Sequence, residues 1–510
     1  MVSENYFPII SENNSESFLY KWYVEFFDGD DAENKEKKVF PVNTEKITKL
    51  CQYKSRVSPV LTGQFRVKRT DVIKLNAIKK SCLCTITVKK LIYVATKSGT
   101  DTSYSLQDEK IVFSSTFIPV FDPKTFKNLR EDKIQEEESK PKVSDPTPGV
   151  TTIYVTFFNK TSQKIFKQIF NNVIEGGGTV GSILGWVLSE LNVRYIADMP
   201  TGDHSLPDIV IPPMNTIQVL NYLQSSVGIY ENGLETFYDF DDILYILDKY
   251  ALDHEHVDSD TVLTHIYVNQ GSNVESGAGD ILHAKNKNDE AMYIGSPLIN
   301  YETAEVMDSE LRGDTFIFSS FTQSINAVGY DEKGNPVPDT VRPLAQAMMR
   351  SNTGHTQSGT KFIVDYDELN NPVNMASYFN EMESNAQTMS VALSRVDIQD
   401  FKPNKLIELH FKDTTLNNVK GGIYFLNSVQ FDFTQIVQAQ IFKDGSDVNE
   451  YSKLGYEPTK TACGCVLSLS RKVSNTEYKV GSAATKEQAQ QIKGEIVQST
   501  SGIKSGSIGI

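Results

Sequence analysis

Within residues 82–96, CLCTITVKKLIYVAT, apolar and polar side chains alternate from Cys84 to Lys89 and then give way to the apolar run LIYVA. A period of two continued by a short apolar run reads as a β-strand. Such a strand needs neighbours, and the sequence supplies them. FLYKWYVEFFDGD (18–30) reads as a strand running into a turn, and GQFRVKR (63–69) and KIVFSSTFIPVF (110–121) repeat the pattern. Turn residues separate these runs, so an antiparallel barrel or sandwich is expected over residues 1–129. Residue usage agrees: 23 Tyr and 27 Phe stand against 2 Trp, and aromatic side chains favour strands. The Lys and Arg of 46–90 alternate with apolar residues, as on the wet face of a sheet.

The alternation stops at REDKIQEEESKPKVSDPTPG, which is charged, Pro-bearing and almost free of aliphatics. Residues 130–150 are therefore expected to be a linker. A chain of 510 residues has room for about three or four domains. After the linker the period changes. TTIYVTFF (151–158) is strand-like. KTSQKIFKQIFNNVI (160–174) places Ile165, Phe166, Ile169, Phe170 and Val173 at helical spacing, with Thr161 or Ser162 as N-cap. EGGGTVGSILGWVLSELNV (175–193) is a glycine hinge into a second helix. DIVIPPMNTIQVLNYLQSSVGIY (208–230) is an extended segment and a third helix, capped by Asn215 or Thr216, with Ile217, Leu220, Leu223 and Val227 as its buried stripe. Residues 151–250 thus read as an α/β domain.

Residues 251–361 are less regular and read as an insertion or a loop-rich β region. Within them GDTFIFSSFTQSINAVGYDEKGNPVPDTVR (313–342) predicts a hairpin with Gly334-Asn335 at its turn. NPVNMASYFNEMESNAQTMSVALS (371–394) predicts a helix with Met375, Phe379, Met382, Ala386 and Met389 on one side. KLIELHFKD, GGIYFLNSVQFDFTQ and VLSLSRKV return to strand patterning, giving a second β domain over 362–480. The end, 481–510, reads as a short helix and a Ser/Gly/Ile tail that a partner would order. The expected class is α+β, mainly β: two antiparallel β-barrel or sandwich domains with a helix-containing α/β domain between them.

A net charge of −15 argues against a phosphate-backbone binder, which would show a basic face. No apolar run reaches the roughly 18 residues of a membrane helix. The first residues, MVSENYFPIISENNSES, have neither a basic nor an apolar signal region, so no secretory signal is expected. The five cysteines, Cys51, Cys82, Cys84, Cys463 and Cys465, are few, which fits synthesis in a reducing cytoplasm. CLC and CGC could supply four zinc thiolates, but structural zinc sites favour two-residue spacers. These cysteines lie at strand spacing and are expected to be core or surface thiols.

Several stretches invite chemistry. FYDFDDILYIL (237–247) contains DFDDIL, which resembles the first motif of haloacid dehalogenase-type phosphatases, with Asp239 as nucleophile and Asp241 as acid/base. Ile243 stands where that family has Thr, and the preceding ENGLETFY is not a buried apolar strand. Asp239, Asp241 and Asp242 lack the Gly turn and distant Glu of an EF-hand loop. His204 and Asp208, with His254 and His256, echo the HxxxD and HxH ligand pairs of lysostaphin-type zinc endopeptidases. Neither pair has that family's glycine-rich strand context, and DHEHVDSD reads as a solvated loop. The glycines of 176–178 lack the Lys of a phosphate loop. No G-x-S-x-G, Cys/His or glycosidase pair is nominated. The expectation is no catalytic residue, no metal and no cofactor. The carboxylates of the DFDD turn are expected to face solvent or a subunit edge, with the flanking aromatics and Ile243, Leu244, Ile246 and Leu247 packed inward.

The order over 211–249 is more specific. A Pro-Pro and a polar cap precede the helix NTIQVLNYLQSSVGIY. Then come an ENG turn and ETFYDFDDILYIL. This resembles the hub fold shared by contractile phage tail baseplates and type VI secretion spikes. There a helix ends in a Gly-Ile/Leu-aromatic step, matched by Gly228, Ile229 and Tyr230, and a strand, a turn and an apolar strand closing on Asp follow, matched by DILYILDKY. SVALSRVDIQDFKPNKLIELHFKDTTLNNVKGGIYFLNSVQFDF (390–433) resembles the second tube-like barrel of such hubs, with Asn404 where Gly is common. The resemblance implies a non-enzymatic structural hub of a contractile tail baseplate, a homotrimer that adapts a six-fold tube to a three-fold central spike. The implied partners are other copies of the chain, the central spike protein, tail tube initiator proteins and the end of the tape-measure protein. DNA would be met only in transit through an acidic lumen, and no stable membrane insertion is implied. The implied location is the virion tail baseplate, after synthesis in the host cytoplasm. The alternatives are a tail-associated zinc peptidoglycan hydrolase and the phosphatase.

Overall fold

The structure is a computed structural model. It describes residues 17–29, 40–41, 43–53, 56–98, 101–123, 126, 150–201, 208–251, 263–269, 281–303, 315–319, 328–330, 361–365, 384, 387–435 and 460–471. The first strands are β1 (Ser17–Asp28), β2 (Phe40–Pro41), β3 (Asn43–Gln52) and β4 (Val60–Lys68). Helix α1 (Arg69–Ile78) precedes the long β5 (Cys82–Ser98), β6 (Asp101–Phe121) and β7 (Val150–Asn159). Then come α2 (Lys160–Lys167), β8 (Ile169–Ile174), α3 (Val180–Leu191), β9 (Arg194–Ala197), β10 (Ile209–Asn215), α4 (Thr216–Ser226), β11 (Leu234–Tyr238) and β12 (Ile243–Asp248). The last part holds β13 (Leu263–Val268), β14 (Leu282–Lys285), β15 (Ala291–Gly295), β16 (Leu298–Thr303), β17 (Thr315–Ser319), β18 (Val328–Tyr330), β19 (Lys361–Asp365), β20 (Gln387–Leu393), β21 (Leu406–Phe411), α5 (Thr414–Lys420), β22 (Gly422–Gln435) and β23 (Lys460–Arg471).

The strands read from alternation at both ends of the chain come together in one sheet. The order β22-β3-β4-β7-β6-β5-β1-β23 returns to its start, because β22 also pairs with β23. Every step of that ring is antiparallel, so it is a closed barrel of eight strands. The same β22 and β23 belong to a second set, β14-β15-β13-β21-β22-β23-β20-β16, in which no pairing among the described residues joins β14 to β16. Two eight-stranded sets thus share two strands. In the second set β13 pairs in parallel with both β15 and β21.

Period-two patterning explains the barrel interior. On β1 the side chains of Tyr20, Trp22, Val24 and Phe26 all point inward and are buried. Trp22 meets Phe433 of β22 edge-on, with ring centroids 4.7 Å apart, and Tyr20 meets the same ring at 5.3 Å. Edge-to-face pairs of this kind add about 0.5–1.5 kcal/mol to their burial. They stitch the first strand of the chain to one of its last. All five cysteines are buried, free thiols on the barrel strands β3, β5 and β23, and burial pushes Cys51 and Cys82 up to about 12.

Residues 160–248 form a unit with a core of its own, built from Ile183, Leu188, Leu220, Leu223, Ile229 and Leu244 among others. The helix expected over 160–174 ends early: α2 stops at Lys167, Gln168 is extended, and 169–174 is strand β8. Its cap is Asn159, whose side chain accepts from the Ser162 amide at 2.8 Å, rather than Thr161 or Ser162. The helical spacing of Ile169, Phe170 and Val173 is overridden because β10 offers the backbone of 169–174 a pairing partner. Two asparagines and a β-branched pair also suit an extended chain better than a helix. Helix α3 is as expected, with Thr179 and Ser182 forming a capping box. Helix α4 is capped by Asn215, again with a reciprocal box through Gln218. Its stripe is Val219, Leu220, Leu223 and Val227, with Ile217 only half-buried.

Two further expectations are corrected. β17 pairs with β18 from Thr315↔Tyr330 to Ile317↔Val328, so the hairpin connection precedes Tyr330 and Gly334-Asn335 lies beyond it. Met389 is buried on strand β20, not on a helix: Gln387–Leu393 alternates between two sheet neighbours. The rest of that expected helix stripe, Met375, Phe379, Met382 and Ala386, lies outside the described residues, as do the linker 130–149 and the tail 481–510.

Candidate functional site

The hairpin β11–β12 carries the DFDD turn, and its register sorts its two faces. Phe237 lies opposite Tyr245, and Tyr238 opposite Leu244. Phe237, Tyr245 and Leu247 pack with the barrel core, while Tyr238, Leu244 and Ile246 pack with the core of the 160–248 unit. A strand buried on both faces reads as a near-continuous apolar run, which is why ILYIL follows the acids. The hairpin is a wall common to both cores.

At its turn the structure departs from the expected solvent-facing carboxylates. Asp239 is only 2 % exposed. Lys49 of β3 donates to its Oδ1 at 2.6 Å, and Lys402 donates to its Oδ2 at 3.0 Å. Lys402 also pairs with Asp241, which is half-buried. Burial pushes the Asp239 carboxyl up, but Lys402 and Lys49 outweigh it and hold the group below the usual carboxylate range. The burial that disfavours the Lys402 ammonium is likewise overcome by Asp239 and Asp241, so its pKa stands well above the ordinary value. The reason is elementary: a carboxylate removed from water needs cations and donors in its place. Asp242 alone meets the expectation. It is exposed, sits in the left-handed region at φ 63°, and accepts from the Tyr238 hydroxyl at 2.8 Å. A carboxylate sealed between two ammonium groups is not presented to a phosphoester, so Asp239 does not have the access a nucleophile needs.

A second buried pair lies close in sequence to Lys402. Asp397 binds Lys90 of β5 and accepts from the Tyr20 hydroxyl at 3.0 Å. Burial raises its carboxyl, and Lys90 more than reverses that, leaving it lowered. The Tyr293 hydroxyl accepts from the Asp397 amide and donates to Asp400 at 2.6 Å. The segment 397–402 is therefore held at one end by Lys90 and at the other by Asp239 and Asp241. These contacts join residues about 100 to 380 positions apart in sequence, and nothing local in the sequence signals them beyond the acids themselves.

The Gly-Ile-aromatic step is formed as expected. Gly228 has φ 80°, a conformation that costs other residues roughly 1 kcal/mol or more. Its amide and that of Val227 both return to the Leu223 carbonyl, closing α4. Ile229 and Tyr230 then enter the core, and the Tyr230 hydroxyl donates to the Asp198 and Ile246 carbonyls at 2.8 and 3.2 Å. The closing Asp248 accepts from the amide and side chain of Asn232, and burial raises its carboxyl to about 7.

Of the histidine pairs, His204, His254 and His256 lie outside the described residues, and Asp208 is exposed and accepts from the Gly176 amide. Residues not singled out from sequence form a different cluster: His265, Glu408 and His410, with Glu290 beside them. The Glu-x-His spacing in KLIELHFKD was the available signal, because residues two apart on a strand share a face.

A family model described as Bacteriophage PBS1 gene 109 protein matches residues 42–493. The chain belongs to this family. A search of curated protein sequences finds no match. Among solved structures the chain is similar to a tail protein from Neisseria meningitidis MC58, at 10 % identity and a TM-score of 0.40, covering 88 % of this chain and 97 % of that one. It is similar to the 43 kDa tail protein of prophage MuSo2 from Shewanella oneidensis, with the same identity and score and 88 % and 98 % coverage. It is also similar to the E. coli c3393 protein, a type VI secretion component described as resembling T4 bacteriophage tail proteins gp27 and gp5, at 8 % identity and a TM-score of 0.34 over 86 % and 77 % of the two chains. No residue role transfers at such scores.

Proposed function

We propose that this chain is a non-enzymatic structural subunit of a phage tail: a baseplate hub that works as a homotrimer between the tail tube and a central spike. Membership of a bacteriophage protein family supports the phage setting. The observation that carries the hub reading is the pair of eight-stranded sets sharing β22 and β23. Two tube-like units in each of three subunits would present six to a six-fold tube and keep three-fold symmetry toward a spike. Among the described residues β14 and β16 end the second set, and strands at the end of a sheet suit contacts between subunits. The ribbon β8–β10 also keeps Ile169, Val173 and Val210 about 60 % exposed on one face, a composition suited to a subunit contact.

The test is the mass of the assembled species. Native mass spectrometry of the purified chain, alone and mixed with its spike protein, is expected to show a trimer. Negative-stain images should show a ring about as wide as a tail tube. A chain that stays monomeric with the spike present and clears peptidoglycan in a chelator-sensitive zymogram would overturn the reading in favour of a wall hydrolase.

A further inference from the structure

We propose that His265, Glu408 and His410 form a binding site for a single divalent transition-metal ion of the zinc class. The site ties β13 to β21 on the outer face of the second strand set.

The parallel pairing sets His265 directly opposite Glu408, with Tyr267 opposite His410. All four side chains lie on the face of the sheet away from Ile266, Ile407, Leu409 and Phe411, which fill the core. Three lone-pair atoms converge there. His265 Nδ1 is 3.0 Å from a Glu408 carboxylate oxygen, His410 Nε2 is 3.3 Å from that same oxygen, and the two ring nitrogens are 3.3 Å apart. A tetrahedral zinc ion with bonds of about 2.0–2.1 Å holds its ligand atoms about 3.3 Å from one another. The triangle already has nearly that size. Protons satisfy it poorly: if both rings donate to the one carboxylate oxygen, two N–H donors face each other across 3.3 Å.

The surroundings add an independent observation. Glu290 lies 3.2 Å from His265 Nε2, the nitrogen turned away from the triangle. Asn286 donates to the same Glu290 oxygen. A carboxylate on the far nitrogen fixes the tautomer that leaves Nδ1 free to bind, which is the usual outer support of a metal-bound histidine. Tyr267 stacks on His410 at 4.4 Å and 12° and holds its ring in place. Glu408 and His410 are each 27 % exposed at the side chain, whereas His265 is nearly enclosed. An ion can therefore enter from solvent, and a fourth position is left for water. Two imidazoles and one carboxylate suit zinc or its neighbours rather than magnesium or calcium.

The test uses the full chain, stripped with chelator, incubated with zinc chloride and passed through gel filtration. One zinc per chain is expected to be retained, by elemental analysis, and cobalt(II) in its place should give the absorption of a tetrahedral site. H410A should weaken zinc binding by more than about 100-fold, and E290Q, which leaves all three ligands, by about 10–100-fold. H254A/H256A should bind as the wild type does. Far-UV circular dichroism confirms that each variant is folded; should H410A fail that check, E290Q decides alone. No retained zinc in the wild type, unchanged binding in folded H410A or E290Q, or zinc lost with His254 and His256 instead, overturns the proposal.

Discussion

The barrel and the 160–248 unit are both apolar inside and share the hairpin β11–β12, yet they also meet through buried charge. Barrel closure rests on interlocked rings such as Trp22 and Phe433, and the smaller unit rests on its own helices and the Tyr230 step. Between them stand Lys49, Asp239, Lys402 and Asp241. Apolar contact is tolerant of small slides, whereas a buried ion pair has one good geometry and a steep cost away from it. The difference teaches that the junction sets how the two cores are placed, while the cores supply the cohesion.

The comparison breaks most sharply at Leu220, fully buried in the smaller core. Leu220→Asp should cost several kcal/mol, on the order of an unpaired buried charge. Urea unfolding followed by intrinsic fluorescence should show the 160–248 unit lost before the barrel; a soluble variant with unchanged unfolding would refute the placement of α4. Lys402→Met tests the junction, leaving Asp239 and Asp241 short of a cation. It should cost about 3–5 kcal/mol, and thermal denaturation should show two transitions where a single one is expected for the wild type. A single unshifted transition would show that the cores are placed without it.

Titration sharpens the same contrast. Asp239 and Asp397 are held below the usual range by lysines. Their contribution is therefore present above about pH 4 and is lost as pH falls through their lowered folded values. Asp248 has the opposite sign. Its folded pKa, about 7, lies above the unfolded value of about 3.9, so the folded state holds the extra proton. Its contribution is full below about pH 4, declines as pH rises to about 7, and remains a cost above that. Asp198 and Glu231 face it and Asn232 donates to it. Asp248→Asn, which keeps an acceptor for the Asn232 amide, should stabilise the protein at pH 8 by up to roughly 4 kcal/mol and do little at pH 4. Denaturation midpoints at the two values check this. The smallest effect on folding is expected at the exposed ribbon: Val173→Glu with Val210→Glu should shift stability by no more than about 0.5 kcal/mol while reducing the trimer seen by native mass spectrometry.

Much of the fold was legible because local signals and tertiary demands agreed. The alternation of β5, the cap at Asn215 and the Gly228-Ile229-Tyr230 step each needed only neighbouring residues. What escaped depends on pairing across the chain. Residues 169–174 fit a helix by spacing and became a strand because β10 lies alongside. Asp239 looked like part of a polar turn because nothing near it in sequence announces Lys49 or Lys402. His265 and His410 meet only once β13 and β21 lie in parallel register, and no local pattern fixes that register. The same holds for the sharing of β22 and β23, which two strand-rich stretches at opposite ends of a sequence do not foretell.

That sharing has a mechanical consequence. The ladder between β22 and β23 runs from Phe425↔Ser470 to Gln435↔Thr461, and both strands continue into neighbours on either side. One bulge, between Leu426 and Ser428, interrupts this ladder; from Ser428↔Ser468 to Gln435↔Thr461 it is continuous. A twist applied to one set is therefore expected to reach the other through covalent strands and paired amides, as torque passes along a keyed shaft.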